Sequence, residues 1–143
     1  MNADQVNTGR GVWLRVAAVL YFLSLSWPVH LPTLQHLVRE GALPIVLVFG
    51  RPIHALGGGF IEAWGPKVII ASILAFGVLS AFDVLAGYWL WKRQKRGGIL
   101  ALVLLPVYWF FAIGWVVPYM WLSGALKAIA LAFGWKSLKG ETA

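Results

Sequence analysis

The sequence predicts an all-α integral membrane protein: a bundle of four transmembrane helices with a re-entrant or interfacial segment between helices 1 and 2. Three observations predict it. Of 143 residues, 60% are hydrophobic and 12% charged, about half the charge of an average soluble domain. Apolar runs near the roughly 20 residues needed to cross a bilayer recur along the chain. Lys and Arg gather at one set of run ends, as the positive-inside rule requires of cytoplasmic flanks. After subtraction of the spans little chain remains, so residues 1–143 read as one membrane domain.

The first span covers residues 12–31, from Val12 to the stops at Pro28 and Pro32, which cannot continue a helix without losing backbone hydrogen bonds. No small-residue cleavage site follows it, so a retained anchor is expected rather than a signal peptide. An outer segment, 33–65, comes next and holds Arg39, Glu40, Arg51, Glu62 and the glycines Gly57, Gly58 and Gly59. Its apolar core, 43–49, is too short to span and is interrupted by Pro44, Gly50, Arg51 and Pro52, which favours a re-entrant or interfacial structure. The glycine run reads as a hinge.

Span two, 67–91, opens after Pro66, a residue suited to a first helical turn, and closes at the basic burst Lys92, Arg93, Lys95, Arg96. Gly97 and Gly98 are expected to form the turn into span three, 98–118, which Pro106 should kink. Span four, 121–138, follows so quickly that spans three and four must be antiparallel neighbours.

Arg10, Arg15, Lys92, Arg93, Lys95, Arg96, Lys136 and Lys139 fall on one side and Arg39, Arg51 and Lys67 on the other. This bias places both termini in the cytoplasm and suits a prokaryotic plasma membrane. Aromatic belts agree: Trp13, Tyr88, Trp89, Trp91 and Trp135 at the inner interface, Trp27, Trp64, Trp115, Tyr119 and Trp121 at the outer one. The net charge of +7 is therefore accounted for by membrane flanks, and no nucleic-acid partner is expected. The absence of cysteine excludes disulfides, thiolate metal sites and thiol nucleophiles.

Asp83 is the most informative residue, because a carboxylate inside a span is costly unless it is paired, protonated or wet. Lys127 is its natural partner: each lies nine positions before the first cytoplasmic lysine of its own span, Lys92 and Lys136. Nine residues at about 1.5 Å each put both near 13 Å from the inner boundary. The pair reads as a register-fixing clamp, or alternatively as an intramembrane proton or ion site.

His30, His36, Glu40, His54 and Glu62 all fall in the outer region and form a candidate polar or metal cluster, although no recognised zinc or haem spacing is present. The dense aromatics Tyr108, Trp109, Phe110, Phe111 and Trp115 form a candidate apolar-ligand or lipid surface. Small residues four apart, such as Gly77 and Ala81, or Gly124, Ala128 and Ala132, favour close helix contact.

No cofactor is expected. The leading functional expectation is a non-enzymatic, helix-packing subunit of a larger membrane complex or a homo-oligomer, with the bilayer and other transmembrane helices as partners. A small transporter or channel using Asp83 is the first alternative, and an outer-face enzyme or metal-binding protein the second.

Overall fold

The computed structural model describes residues 3–23, 27–48, 50–115 and 117–138, the side chains of 3–10, 27–29, 48 and 118 excepted. The expected membrane-edge positions of the Arg10 and Trp27 side chains and of Lys139 lie outside the described residues. The chain is mostly helical. Its elements are α1 (Ala3–Phe22), α2 (Trp27–Glu40), strands β1 (Ile45–Val48) and β2 (Arg51–His54), α3 (Phe60–Ala63), α4 (Pro66–Trp91), α5 (Lys95–Trp115), α6 (Pro118–Gly134) and a 3₁₀ turn at Trp135–Ser137. Two helices, α4 and α5, are long and apolar enough to cross a membrane, and the apolar part of α1 is the shorter Gly11–Phe22.

The four long helices make a ring. Their principal contacts run α1 to α4, α4 to α5, α5 to α6 and α6 back to α1, so α1 faces α5, and α4 faces α6, across the diagonals. Glycines sit where backbones come closest. A Cβ on Gly87 of α4 would stand 3.0 Å from the Ala18 carbonyl oxygen of α1, and one on Gly134 would stand 3.0 Å from the Leu14 backbone nitrogen. Small residues at such crossings let the whole helix surface interdigitate.

Both sides of the helices are apolar. Ile73, Phe76, Leu79, Leu90, Leu104 and Leu131 are buried, while Val16, Leu74, Val78, Phe82, Val103, Ile113, Leu122 and Phe133 are exposed on the outward faces.

The region expected as one span over 12–31 is two helices. α1 stops at Phe22 and α2 starts at Trp27. Pro28 lies in the first turn of α2, where a proline nitrogen has no intrahelical duty, so it opens a helix rather than ending one. Pro32 sits inside α2 and leaves the carbonyl four residues back without its helical donor. The outer segment then departs from an all-α design. Residues 45–54 form an antiparallel hairpin pairing Ile45 with His54 and Val48 with Arg51. Its first strand is rich in β-branched side chains and bounded by Pro44 and Gly50, and it is too short for a stable helix. Gly50 takes φ 76° in the connection, which glycine adopts without steric cost.

The turn between α4 and α5 is built differently from the expected glycine turn. Arg93 holds the left-handed conformation at φ 58°, with Gln94 N–H donating to Trp89 O at 2.8 Å and Arg93 N–H to Leu90 O at 2.9 Å, the Schellman pattern that closes a helix. Gly97 and Gly98 instead form the first turn of α5. A Cβ on Gly97 would meet the Leu90 nitrogen at 2.7 Å, and one on Gly98 would meet the Trp135 ring at 2.9 Å.

Gly87→Leu should separate α1 from α4 and cost about 1–3 kcal/mol. Thermal unfolding of the purified protein will read this as a lowered Tm, and an unchanged Tm would show that the α1–α4 contact is not close.

Candidate functional site: a buried ion pair where four helices meet

The apolar interior holds an ion pair between α4 and α6. Lys127 of α6 donates from Nζ to Asp83 Oδ2 of α4 at 2.9 Å, with each residue 1% exposed. The pair lies across one diagonal of the ring. The helix periodicity explains how it arises: Asp83 belongs to the inward stripe Phe76, Leu79, Ser80, Asp83, Ala86, Leu90 of α4, and Lys127 to the inward positions Gly124, Lys127, Ala130, Leu131 of α6, each at the three- and four-residue spacing of one helical face.

The other two long helices complete the surroundings. Tyr21 of α1 and Tyr108 of α5 flank the ammonium, which lies 4.4 Å from the Tyr21 ring centroid and 4.2 Å from that of Tyr108. A cation over a desolvated aromatic face gains about 2 kcal/mol. Both phenol groups are themselves satisfied. Tyr21 Oη donates to the Ala101 carbonyl of α5 at 3.0 Å, bridging the second diagonal, and Tyr108 Oη hydrogen-bonds Ser123 Oγ. Ser123 in turn donates to Met120 O at 3.3 Å. One polar side chain from each long helix therefore converges on a single point, and the charges there neutralise each other.

Next to this point the aromatics are sorted by face rather than gathered into one surface, which corrects the expectation for 108–115. Tyr108, Phe111 and Trp115 are buried and Phe110 is half exposed, because successive helical residues turn by about 100° and a contiguous run cannot share one face. Trp115, expected at the outer interface, is fully buried: it packs on Phe76 at 5.0 Å and on Phe111 at 5.0 Å, and donates its indole N–H to Ser72 Oγ at 3.3 Å. Trp109 packs edge-on against Trp121 at 5.2 Å.

The five outer polar residues do not assemble. His30 points inward from α2, stacked on Phe76 at 5.0 Å and near Trp115 at 5.4 Å. His36 and Glu40 are exposed on α2. Only His54 and Glu62 meet: His54 Nδ1 lies 2.6 Å from Glu62 Oε1, and Gly58 N–H donates to Glu62 Oε2 at 2.5 Å. Among the described residues no three metal-ligating side chains come together.

No family model, no curated protein and no solved structure matches the chain. The functional reading therefore rests on the geometry.

The glycine run is a packed turn rather than a hinge. Gly58, at φ 85°, offers its amide to Glu62, and Gly59 lies so close to the Gly114 carbonyl of α5 that no Cβ fits between them. Tyr21 escaped sequence reasoning, although it is the sole hydroxyl side chain between Gly11 and Leu23, a signal that a buried acceptor awaited it.

Lys127→Ala should lower stability by about 3–5 kcal/mol, because it leaves a carboxylate buried without its cation. Asp83→Leu combined with Lys127→Met should recover most of that loss in the same melting experiment. Equal melting of parent and Lys127→Ala would show that the pair contributes nothing.

The Gly58 amide, and after it the His54 ring, hold the Glu62 carboxyl below the ordinary carboxylate range. A folded-state pKa depressed in this way stabilises the turn above the unfolded value and ceases to do so as pH falls through the depressed one. Exchange protection at the Gly58 amide should accordingly be steady from neutral pH down to the carboxylate range and disappear below it, and Glu62→Gln should abolish that pH dependence. Protection that ignores pH in the parent would refute the contact.

Proposed function

We propose that the chain is an integral membrane protein in which α1, α4, α5 and α6 all cross the bilayer, and that it acts as a non-enzymatic, helix-packing subunit of a larger membrane complex or of a homo-oligomer. The observation that carries this reading is that α4, α5, α6 and the Gly11–Phe22 part of α1 carry large apolar side chains on their outward as well as their inward faces. A helix in water keeps a polar face. A bundle apolar all round needs lipid or other helices as its solvent.

Dimensions support it for α4, α5 and α6, while α1 contributes the shorter apolar stretch Gly11–Phe22. α4, with 26 residues, α5, with 21, and α6, with 17, span roughly 39, 32 and 26 Å at about 1.5 Å per residue, against a hydrocarbon thickness of about 30 Å. Lys92, Arg93, Lys95 and Arg96 sit at the α4–α5 turn, Lys136 follows the end of α6, and Arg15 lies in α1. An even number of spans keeps all of them on the cytoplasmic side of a prokaryotic plasma membrane. The hairpin then belongs to the opposite interface, where its exposed Ile45, Val46, Leu47 and Ile53 meet the headgroup boundary.

The clamp reading of Asp83 and Lys127 follows from their closure. The ammonium is met by the Asp83 carboxylate and by two aromatic faces, an arrangement that favours one packing of four helices and leaves an apolar exterior for other helices. A transport site would instead draw on the same carboxylate as a proton carrier.

Absence of native cysteine makes the topology directly measurable. An impermeant thiol reagent should label Ala42→Cys in intact cells and Lys92→Cys only after permeabilisation; the same pattern at both positions would overturn the four-span arrangement. Purification in mild detergent followed by intact-complex mass spectrometry should return stoichiometric companions or a defined homo-oligomer. A lone monomer would overturn the subunit reading and direct attention to proton flux through Asp83.

A further inference from the structure

The seam between α5 and α6 is the most open of the four around the ring. Small side chains recede there: Ala128 and Ala132 of α6 and Leu102 and Leu105 of α5 line an apolar groove of about 340 Å³, whose lining also includes Trp135 and Lys136. Lys95 lies seven residues before Leu102 on α5, and so on the same helical face two turns further out. Both lysines are exposed, and the chain contains no acidic residue between Val84 and Gly140. The basic mouth of the groove is thus not neutralised by neighbouring sequence.

We infer that this groove binds one anionic phospholipid of the cytoplasmic leaflet, its phosphate between Lys95 and Lys136 and an acyl chain along the groove. The inference rests on the membrane reading above. Charge complementarity selects the headgroup: two ammonium groups meet a phosphate, and the Trp135 indole stands at the level of the ester region. Length selects the chain. From Lys95 to Leu105 the helix rises about 15 Å, half of a hydrocarbon core of about 30 Å, which is the depth of a single leaflet. The volume falls at the lower end of small-molecule sites, roughly 300–1,000 Å³.

Two other grooves among the described residues lack this combination. The shallow apolar groove along Leu74, Gly77, Val78 and Leu85 on α4 has no charged residue in its lining, and the cleft beside His54 and Glu62 opens on the hairpin, with a carboxylate in its wall.

The test uses the full-length protein in detergent, titrated with phosphatidylglycerol or with phosphatidylcholine of identical acyl chains and observed by native mass spectrometry. One phosphatidylglycerol should be retained in preference to phosphatidylcholine. Lys95→Gln and Lys136→Gln should each weaken retention about fivefold, whereas Lys67→Gln, at the other end of the bundle, should leave it unchanged. Ala132→Leu should fill the groove and release the lipid with both lysines intact; the two lysine variants keep the test open if that protein does not fold.

Equal retention of the two lipids, or undiminished retention in the Lys95→Gln, Lys136→Gln double variant, would overturn the site. So would full displacement by inorganic phosphate, which would leave only an anion site. Alkaline carbonate extraction separates the two readings: protein that stays in the membrane pellet but ignores lipid charge refutes the lipid site alone, and protein released to the supernatant refutes the membrane reading together with it.

Discussion

The pairing of Asp83 with Lys127 constrains everything around it. A carboxylate and an ammonium buried at 1% exposure each cannot be left apart, since an isolated buried charge costs several kcal/mol. Their helices face each other across a diagonal, so satisfying the pair fixes the rotation of α4 and of α6 together. Tyr21 and Tyr108 then have defined places, one on each side of the ammonium. The Tyr21 hydroxyl, by reaching Ala101 of α5, ties the remaining diagonal. Dispersion among apolar faces is indifferent to small rotations; this polar junction is not, and it selects one register among many of similar packing energy.

A second layer attaches the irregular part of the chain to that bundle. His30, Phe76, Phe111, Trp115 and Ser72 form a buried aromatic cluster that joins α2 to α4 and α5. The short helix α3 is held against α4 and α5, with Ile61 and Phe60 seated over Gly114. The hairpin has no comparable burial, and its apolar residues remain exposed. Burial resumes on either side of it, at Leu43 and Leu56, and the His54 to Glu62 contact with the Gly58 amide links the second strand to α3.

The surface separates into chemically distinct zones. The helix flanks are apolar, while the turn between α4 and α5 and the end of α6 are basic. Arg96 lies over Trp89 at 4.5 Å and Lys92 over Tyr88 at 4.6 Å, so at this end of the bundle cations rest on rings.

Composition and periodicity by themselves determined the helical character, the positions of α4, α5 and α6 to within a few residues, and the common level at which Asp83 and Lys127 meet, because these depend on local hydrophobicity and on a constant rise per residue. They also exposed the outer segment as irregular. Tertiary structure alone decided the rest. Pro28 could end a helix or begin one, and it stands in the first turn of α2, which packs on α4. Gly97 and Gly98 could form a turn, yet close approach of Trp89, Leu90 and Trp135 claimed them for packing and left the left-handed turn position to Arg93. Trp115 looked interfacial by position and is buried because its indole finds Ser72 on another helix. In each case the deciding partner lies on another element, and a local pattern carries no information about a contact that only the fold creates.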